Sequence, residues 1–214
     1  MPRTARTAIS PRRKPRQQRS QATVEVLLLA TARVLAARGW AGTTTNHIAA
    51  RAGVSIGSLY EYFPSKEALA AALALRHVEA AETRLAALAT SLMDCELTLE
   101  LLVKAMVSAM IELHAENPRL HRVLFEEVPL GLAIRRRVRA MEDHHARALA
   151  AVLPRLTQLA EPELRARVTV ELLETLTHRW VVTAKAEPLP RETMQAELER
   201  LVLAYLRAPV SAPA

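Results

Sequence analysis

The side chains best suited to chemistry crowd into one short stretch. From Thr43 to Lys66 the chain reads TTTNHIAARAGVSIGSLYEYFPSK, which brings the hydroxyls of Thr44, Thr45, Ser55, Ser58, Tyr60 and Tyr62, the amide of Asn46 and the ammonium of Lys66 within one small segment. Such groups donate and accept hydrogen bonds. No nucleophile elbow surrounds them and no glycine-rich phosphate loop accompanies them, so their chemistry is recognition. Elsewhere, Glu142-Asp143-His144-His145 contains the Glu-x-x-His step of carboxylate-bridged di-iron bundles, but that site needs the step on two helices. The other candidates, Glu112-Leu113-His114 and Glu174 to His178, have different spacings. Cys95, the single cysteine, sits in a polar stretch with no evident base. The expectation is a binding protein with no catalytic residue, no metal ligand and no cofactor.

The elements that must hold these groups follow from caps and periodicity. Thr44 is an N-cap for a short helix with Ile48, Ala49 and Ala52 inward, and Gly53 stands where a helix end tolerates positive φ. Ser55 caps a second helix. Gly53-Val54-Ser55 is the kind of link that lets two helices cross steeply, with Val54 inside the crossing. Leu59 and Phe63, four apart, form the buried stripe of the second helix, leaving Gly57, Ser58, Tyr60, Glu61 and Tyr62 outward. Before this helix-turn-helix, a helix from about Ser20 carries Val24, Leu27, Leu28, Ala32, Val34 and Leu35 on one face and stops at Gly39, with Trp40 expected to pack on the same small domain.

In TTxxxIAxxAGVSxGxLYxYFxSKExL, at Thr44 to Leu69, the stretch resembles the DNA-binding domain of the tetracycline-repressor family of transcriptional regulators. The resemblance implies an all-α protein of about nine helices, with a three-helix DNA-binding domain and a larger helical domain for ligand binding and dimerisation. It also implies roles. Tyr60, Tyr62 and Lys66 match backbone-clamping positions, the alternatives being a Tyr62 half-buried under the first helix and a Lys66 that is only a solvated helix-start residue; the hydroxyls of Thr44 and Thr45 and the start of the second motif helix suit phosphate oxygens. Base reading falls to Ser55, Ile56, Gly57 and Ser58, with Asn46 entering from the preceding helix. No arginine is among them, so specificity would rest on Asn46, hydroxyls, contact with thymine methyls and DNA shape. Glu61 is expected to be held back from the phosphates.

Charge supports a polyanionic partner. The chain of 214 residues has a net charge of +7; residues 1–66 hold 11 basic and 2 acidic residues (11 − 2 = +9), and residues 67–214 hold 18 and 20 (18 − 20 = −2). The excess is entirely N-terminal. Residues 1–19, with three prolines and with Arg12, Arg13, Lys14, Arg16 and Arg19, read as a disordered basic arm able to lie along phosphates or enter a minor groove, with Arg16 assigned to DNA. Five glycines and few aromatics favour packed helices over sheets. One cysteine and no apolar leader point to a cytoplasmic setting, and apolar runs at 24–37 and 168–186 are interrupted by charges, so no membrane partner is expected.

The domain scheme is thus an arm (1–19), the helix-turn-helix domain (20–66), a ligand-binding and dimerisation domain (67–208) and a disordered tail (209–214). In the larger domain, helices are expected from Ser65 to about Ala89, at 97–116, 132–156 and 163–185, and from Arg191 to Arg207, with short turns at 119–126. The last pair carries wide apolar stripes: Leu172, Leu173, Leu176, Trp180 and Val181 on one helix, and Met194, Leu198, Leu201, Val202 and Tyr205 on the other. A homodimer built as a four-helix contact through Leu172, Leu176, Trp180, Met194, Leu198, Leu201 and Tyr205 is expected, the alternative being that both stripes face the core of their own chain. Met106 and Met110, one turn apart, with Phe125, Met141 and Trp180, suit an adaptable apolar pocket. Glu126, Glu127 and Arg135 to Arg139 are expected to face solvent or one another, which points to a small, neutral, lipophilic effector. The expected function is a repressor that releases double-stranded operator DNA when the effector binds; a ligand-independent architectural protein and a helical-bundle metalloenzyme are the competing readings.

Overall fold

The computed structural model describes residues 18–93, 96–183 and 189–208, and these residues are helical with no strand among them. The helices are α1 (Gln18–Arg38), α2 (Thr45–Ala52), α3 (Ile56–Tyr62), α4 (Lys66–Met93), α5 (Leu99–Ala115), α6 (Pro118–Arg122), α7 (Leu132–Leu156), α8 (Pro162–Thr177) and α9 (Arg191–Arg207), and π-helical turns follow α6 (Val123–Glu127) and α8 (His178–Val182). Residues 1–17 of the expected arm, with Arg16, the tail and Cys95 lie outside the described residues, whereas Gln18 and Arg19, expected in the disordered arm, already belong to α1. Two compact units emerge: one of the residues up to Glu79 together with Arg119–Arg136, the other of Ala80–Pro118 and the residues from Arg137 on. The first unit therefore includes more than α1–α3. The start of α4, α6 and its π-helical turn share its core.

In that first unit Leu27, Leu35, Ile48, Leu59, Phe63, Leu69 and Leu124 are almost wholly buried, so the apolar stripes of α1 to α4 and of the α6 segment converge on one centre. By length and composition alone residues 20–38 of α1 could cross a bilayer. Here α1 is a core helix: Leu27, Leu28, Ala30, Val34 and Leu35 face inward, and Glu25 pairs with Arg76 of α4 at 2.7 Å.

The loop that ends α1 shows how the DNA-binding helices are fixed. Gly39 takes φ +66° and donates its N–H to Leu35 O at 2.8 Å, a left-handed helix end that glycine adopts without steric penalty. The next N–H, of Trp40, is bound by Glu127 Oε2 at 2.9 Å, and Arg119 donates to the Ala37 carbonyl at 3.0 Å. Lys66 Nζ donates to the carbonyls of Trp40 and Thr43, both at 3.2 Å, and lies 4.0 Å from the centre of the Trp40 ring. Polar backbone groups that a helix end leaves over are thus taken up by α4 and the α6 segment. Glu127 is exposed, as expected, and stands 3.9 Å from Arg122 Nε, yet it also serves as a backbone acceptor.

In the second unit Val103, Val107 and Ile111 of α5, Leu153 of α7, Leu173 of α8 and Met194, Leu198, Val202 and Leu206 of α9 form the core. This corrects part of the dimer expectation. Met194 (4% exposed) and Leu198 (0%) are consumed by the chain's own core and have no area left for a partner. Leu172, Leu176, Trp180 and Tyr205 are half-buried and Leu201 is exposed, as is Leu164. The stripes are wide because each helix has an inner and an outer apolar edge. Arg165, buried on α8, holds the end of α9 by donating to Tyr205 O at 2.5 Å and Ala208 O at 3.1 Å, with its guanidinium 4.6 Å from the Tyr205 ring centre.

Candidate nucleic-acid interface

The motif helices are set by short-range bonds. Thr44 Oγ1 accepts from His47 N at 3.2 Å and starts α2. Gly53, at φ +69°, ends it by donating to Ala50 O, while Val54 N donates to Ala49 O at 3.1 Å. Ser55 Oγ accepts from Ser58 N at 3.0 Å and starts α3. Leu59 and Phe63 are buried, so the remaining face of α3 must point away from the core.

That outer face brings together Thr44 and Asn46 at the start of α2 with Ser55, Ile56, Gly57 and Tyr60 of α3, all exposed, Ile56 by 39% and Tyr60 by 43%. Tyr60 and Thr45 share a hydroxyl bond of 3.0 Å that ties the two helices, and Ser55 Oγ donates to Ser58 Oγ at 2.9 Å. Glu61 is exposed. Two of the sequence-derived contacts are engaged inside the protein. Tyr62 is half-buried, its hydroxyl 3.1 Å from Ser20 Oγ at the start of α1, and Lys66 is occupied by the α1–α2 loop as described. Beside the face, Arg33, Arg38 and Arg51 with Val34, Ala37, His47 and Ala50 line a concavity of about 460 Å³ on α1 and α2, a basic surface that residue-by-residue reading did not single out. His47 Nδ1 is buried and has no hydrogen-bond partner.

The proposed effector residues fall into different places. Met106, Met110 and Trp180 pack against the core of the second unit, and Met141 is half-buried on α7. Phe125 belongs to the first unit, its ring 4.7 Å from that of His121 and 5.7 Å from that of His77. The second unit also gathers the two spacings that the sequence set aside. His114 on α5 is 2% exposed; its Nδ1 lies 2.9 Å from Met110 O and its Nε2 3.3 Å from Glu174 Oε1. The His178 ring stands edge-on to it at 5.9 Å. Burial disfavours the charged His114 ring, yet Glu174 outweighs this by hydrogen bond and charge, and the pKa is raised.

Against known proteins, residues 27–73 match the model described as bacterial regulatory proteins, tetR family, and residues 98–206 that of the tetracyclin repressor-like C-terminal domain. A tetR-family transcriptional regulator from Mesorhizobium loti superposes with TM-score 0.69 at 20% identity, covering 89% of this chain and 98% of the other. FadR from Bacillus subtilis, solved in complex with stearoyl-CoA, does so with TM-score 0.64 at 17% identity over 85% and 98%. The nucleoid occlusion factor SlmA of Haemophilus ducreyi is 33% identical over 112 residues, 52% of each chain, so this chain spans about half the length of that curated relative.

Proposed function

The chain belongs to the tetR family of bacterial regulatory proteins, and on that premise we propose that it is a dimeric repressor that leaves a palindromic operator when a small lipophilic molecule enters its larger domain. The observation that carries the reading is the outward face of α2 and α3, where small, hydroxylated and amide side chains stand clear of a rigid core. Asn46 and Ser58 read base edges in this scheme, with Ile56 against thymine methyls, and Thr44, Thr45 and Tyr60 take phosphates. Lys66, already bound to two carbonyls, keeps one N–H for a phosphate. A two-fold dimer through the outer edges of α8 and α9 sets two such faces about 34 Å apart, so a shift of a few Å between them is enough to lose the operator.

Support for a lipophilic effector is the packing of Met106, Met110 and Trp180 on one apolar core and the stearoyl-CoA held by a protein of the same fold. A second reading is a ligand-independent architectural protein on DNA, with which the likeness over half of each chain to a nucleoid occlusion factor is compatible. The experiment uses DNA from around the protein's own gene and a random duplex. Asn46→Ala and Ser58→Ala should cost about 1–3 kcal/mol on the operator and little on random DNA, whereas Tyr60→Phe should weaken both alike. Equal losses on both duplexes for Asn46→Ala and Ser58→Ala would refute the division. Hydrophobic compounds that raise the melting temperature and release the operator, with both effects lost in Met110→Trp, would favour the effector reading over the second.

A further inference from the structure

The geometry points to a divalent transition-metal site of the zinc type in the larger unit, held by His114 of α5 with Glu174 and His178 of α8 and its π-helical turn. The ligand atoms of these three side chains lie within 4.8 Å of one another. Two helices bring them together: Glu174 and His178 are four residues apart and share a face, and α5 packs against both α8 and the π-helical turn.

The separation fits an ion. A tetrahedral metal with bonds of about 2.0–2.1 Å sets neighbouring ligand atoms about 3.3–3.4 Å apart, and His114 Nε2 stands 3.3 Å from Glu174 Oε1. The tautomer fits as well. Met110 O lies 2.9 Å from His114 Nδ1 and can only accept, so that nitrogen carries the proton and the neutral ring turns a lone pair at Nε2 toward the carboxylate. Two lone pairs at this distance require a cation between them, either a second proton or a metal. Binding the far ring nitrogen to a backbone carbonyl is how proteins orient metal-ligating histidines.

The surroundings favour the metal. Around Glu142 of α7 the negative charges of Glu174, Asp143 and Glu171 act against one cation, Arg139, so the neighbourhood is acidic on balance. His114 is buried, while Glu174 keeps 38% of its side chain exposed, so the cluster is reached from one side. Two imidazoles and a carboxylate, with no thiolate, select zinc, cobalt, nickel or copper over calcium and magnesium. The π-helical turn that begins at His178 is the kind of local widening often found at functional sites.

The test is direct titration of the full chain, stripped with a chelator and dialysed, with Co²⁺ at neutral pH and no DNA present, so its failure would leave the operator reading untouched. One equivalent per chain should bind, with the visible absorption of low-coordinate cobalt, and one equivalent of Zn²⁺ should bleach it. His178→Ala and Glu174→Gln, chosen because His114 is buried in the core, should each weaken binding at least tenfold while circular dichroism shows a folded helical protein. The double variant His144→Ala, His145→Ala should bind like the parent. Absence of stoichiometric binding would overturn the proposal and leave a protonated His114–Glu174 pair. Undiminished binding in His178→Ala and Glu174→Gln, or binding lost with His144 and His145, would also overturn it.

Discussion

Two glycines occupy the same left-handed backbone region, and alanine at each should cost different amounts for a reason visible in the structure. At Gly53 (φ +69°) an added Cβ meets nothing within 4 Å, so Gly53→Ala carries only the conformational penalty of a left-handed residue, about 1 kcal/mol net. At Gly39 (φ +66°) the Cβ would lie 3.0 Å from Glu127 Oε2, the atom that accepts the Trp40 N–H. Gly39→Ala pays the same backbone penalty and also disturbs a hydrogen bond to a charged acceptor, adding roughly 1 kcal/mol. For a chain of this size each kcal/mol shifts an apparent melting midpoint by about 2–4 °C. Thermal melts followed by circular dichroism should therefore rank parent, Gly53→Ala, Gly39→Ala. In a Glu127→Ala background the additional cost at Gly39 should vanish, leaving both substitutions equal. Equal costs in the parent background, or an undiminished excess at Gly39 without Glu127, would refute the capping role of Glu127.

Lys66→Ala should lower stability by about 1–2 kcal/mol even without DNA, because the carbonyls of Trp40 and Thr43 lose their donor and the Trp40 ring its cation; melts of the free protein check this. Thr169, wholly buried on α8, has a hydroxyl without a partner, so Thr169→Val should be neutral or stabilising by up to about 1 kcal/mol, read as a raised melting midpoint. Burial, and then the charge of His144, push the His145 pKa below 6.5, against weaker opposing effects of Met141 O and Glu82. A depressed histidine binds fewer protons when folded, so its contribution is present above pH 6.5 and lost as pH falls through the folded pKa. His145→Gln should flatten the decline in melting temperature between pH 7 and 5.

The motif helices were legible because their determinants are local. Thr44 and Ser55 cap within three residues, and Gly53 marks a turn that few other residues accept. The same locality gave α7 and α9 their full spans, while α8 gives way to a π-helical turn inside the longer helix expected there. What the sequence concealed depends on partners far along the chain. Glu127 caps a residue 87 positions away, so nothing near it distinguishes it from a solvated carboxylate. Met194 and Leu198 share their helix with the exposed Leu201, and a stripe that wide has no mark dividing core from free surface. His114 lies 60 residues from Glu174; only the packing of α5 on α8 makes neighbours of them. Lys66 and Tyr62 carry the residue types expected of phosphate contacts, yet the same donors also suit the carbonyls and hydroxyl they meet inside the unit.

The central claim is that the exposed face of α2 and α3, presented twice by a symmetric dimer, reads one DNA sequence. A hydroxyl-radical footprint of the protein on DNA from around its own gene tests it most directly. The account predicts protected patches related by two-fold symmetry and spaced by about one helical turn, 10–10.5 base pairs, which disappear with Asn46→Ala at concentrations where the parent protects fully. Uniform protection along the fragment, or a symmetric pattern that Asn46→Ala leaves unchanged, would contradict it.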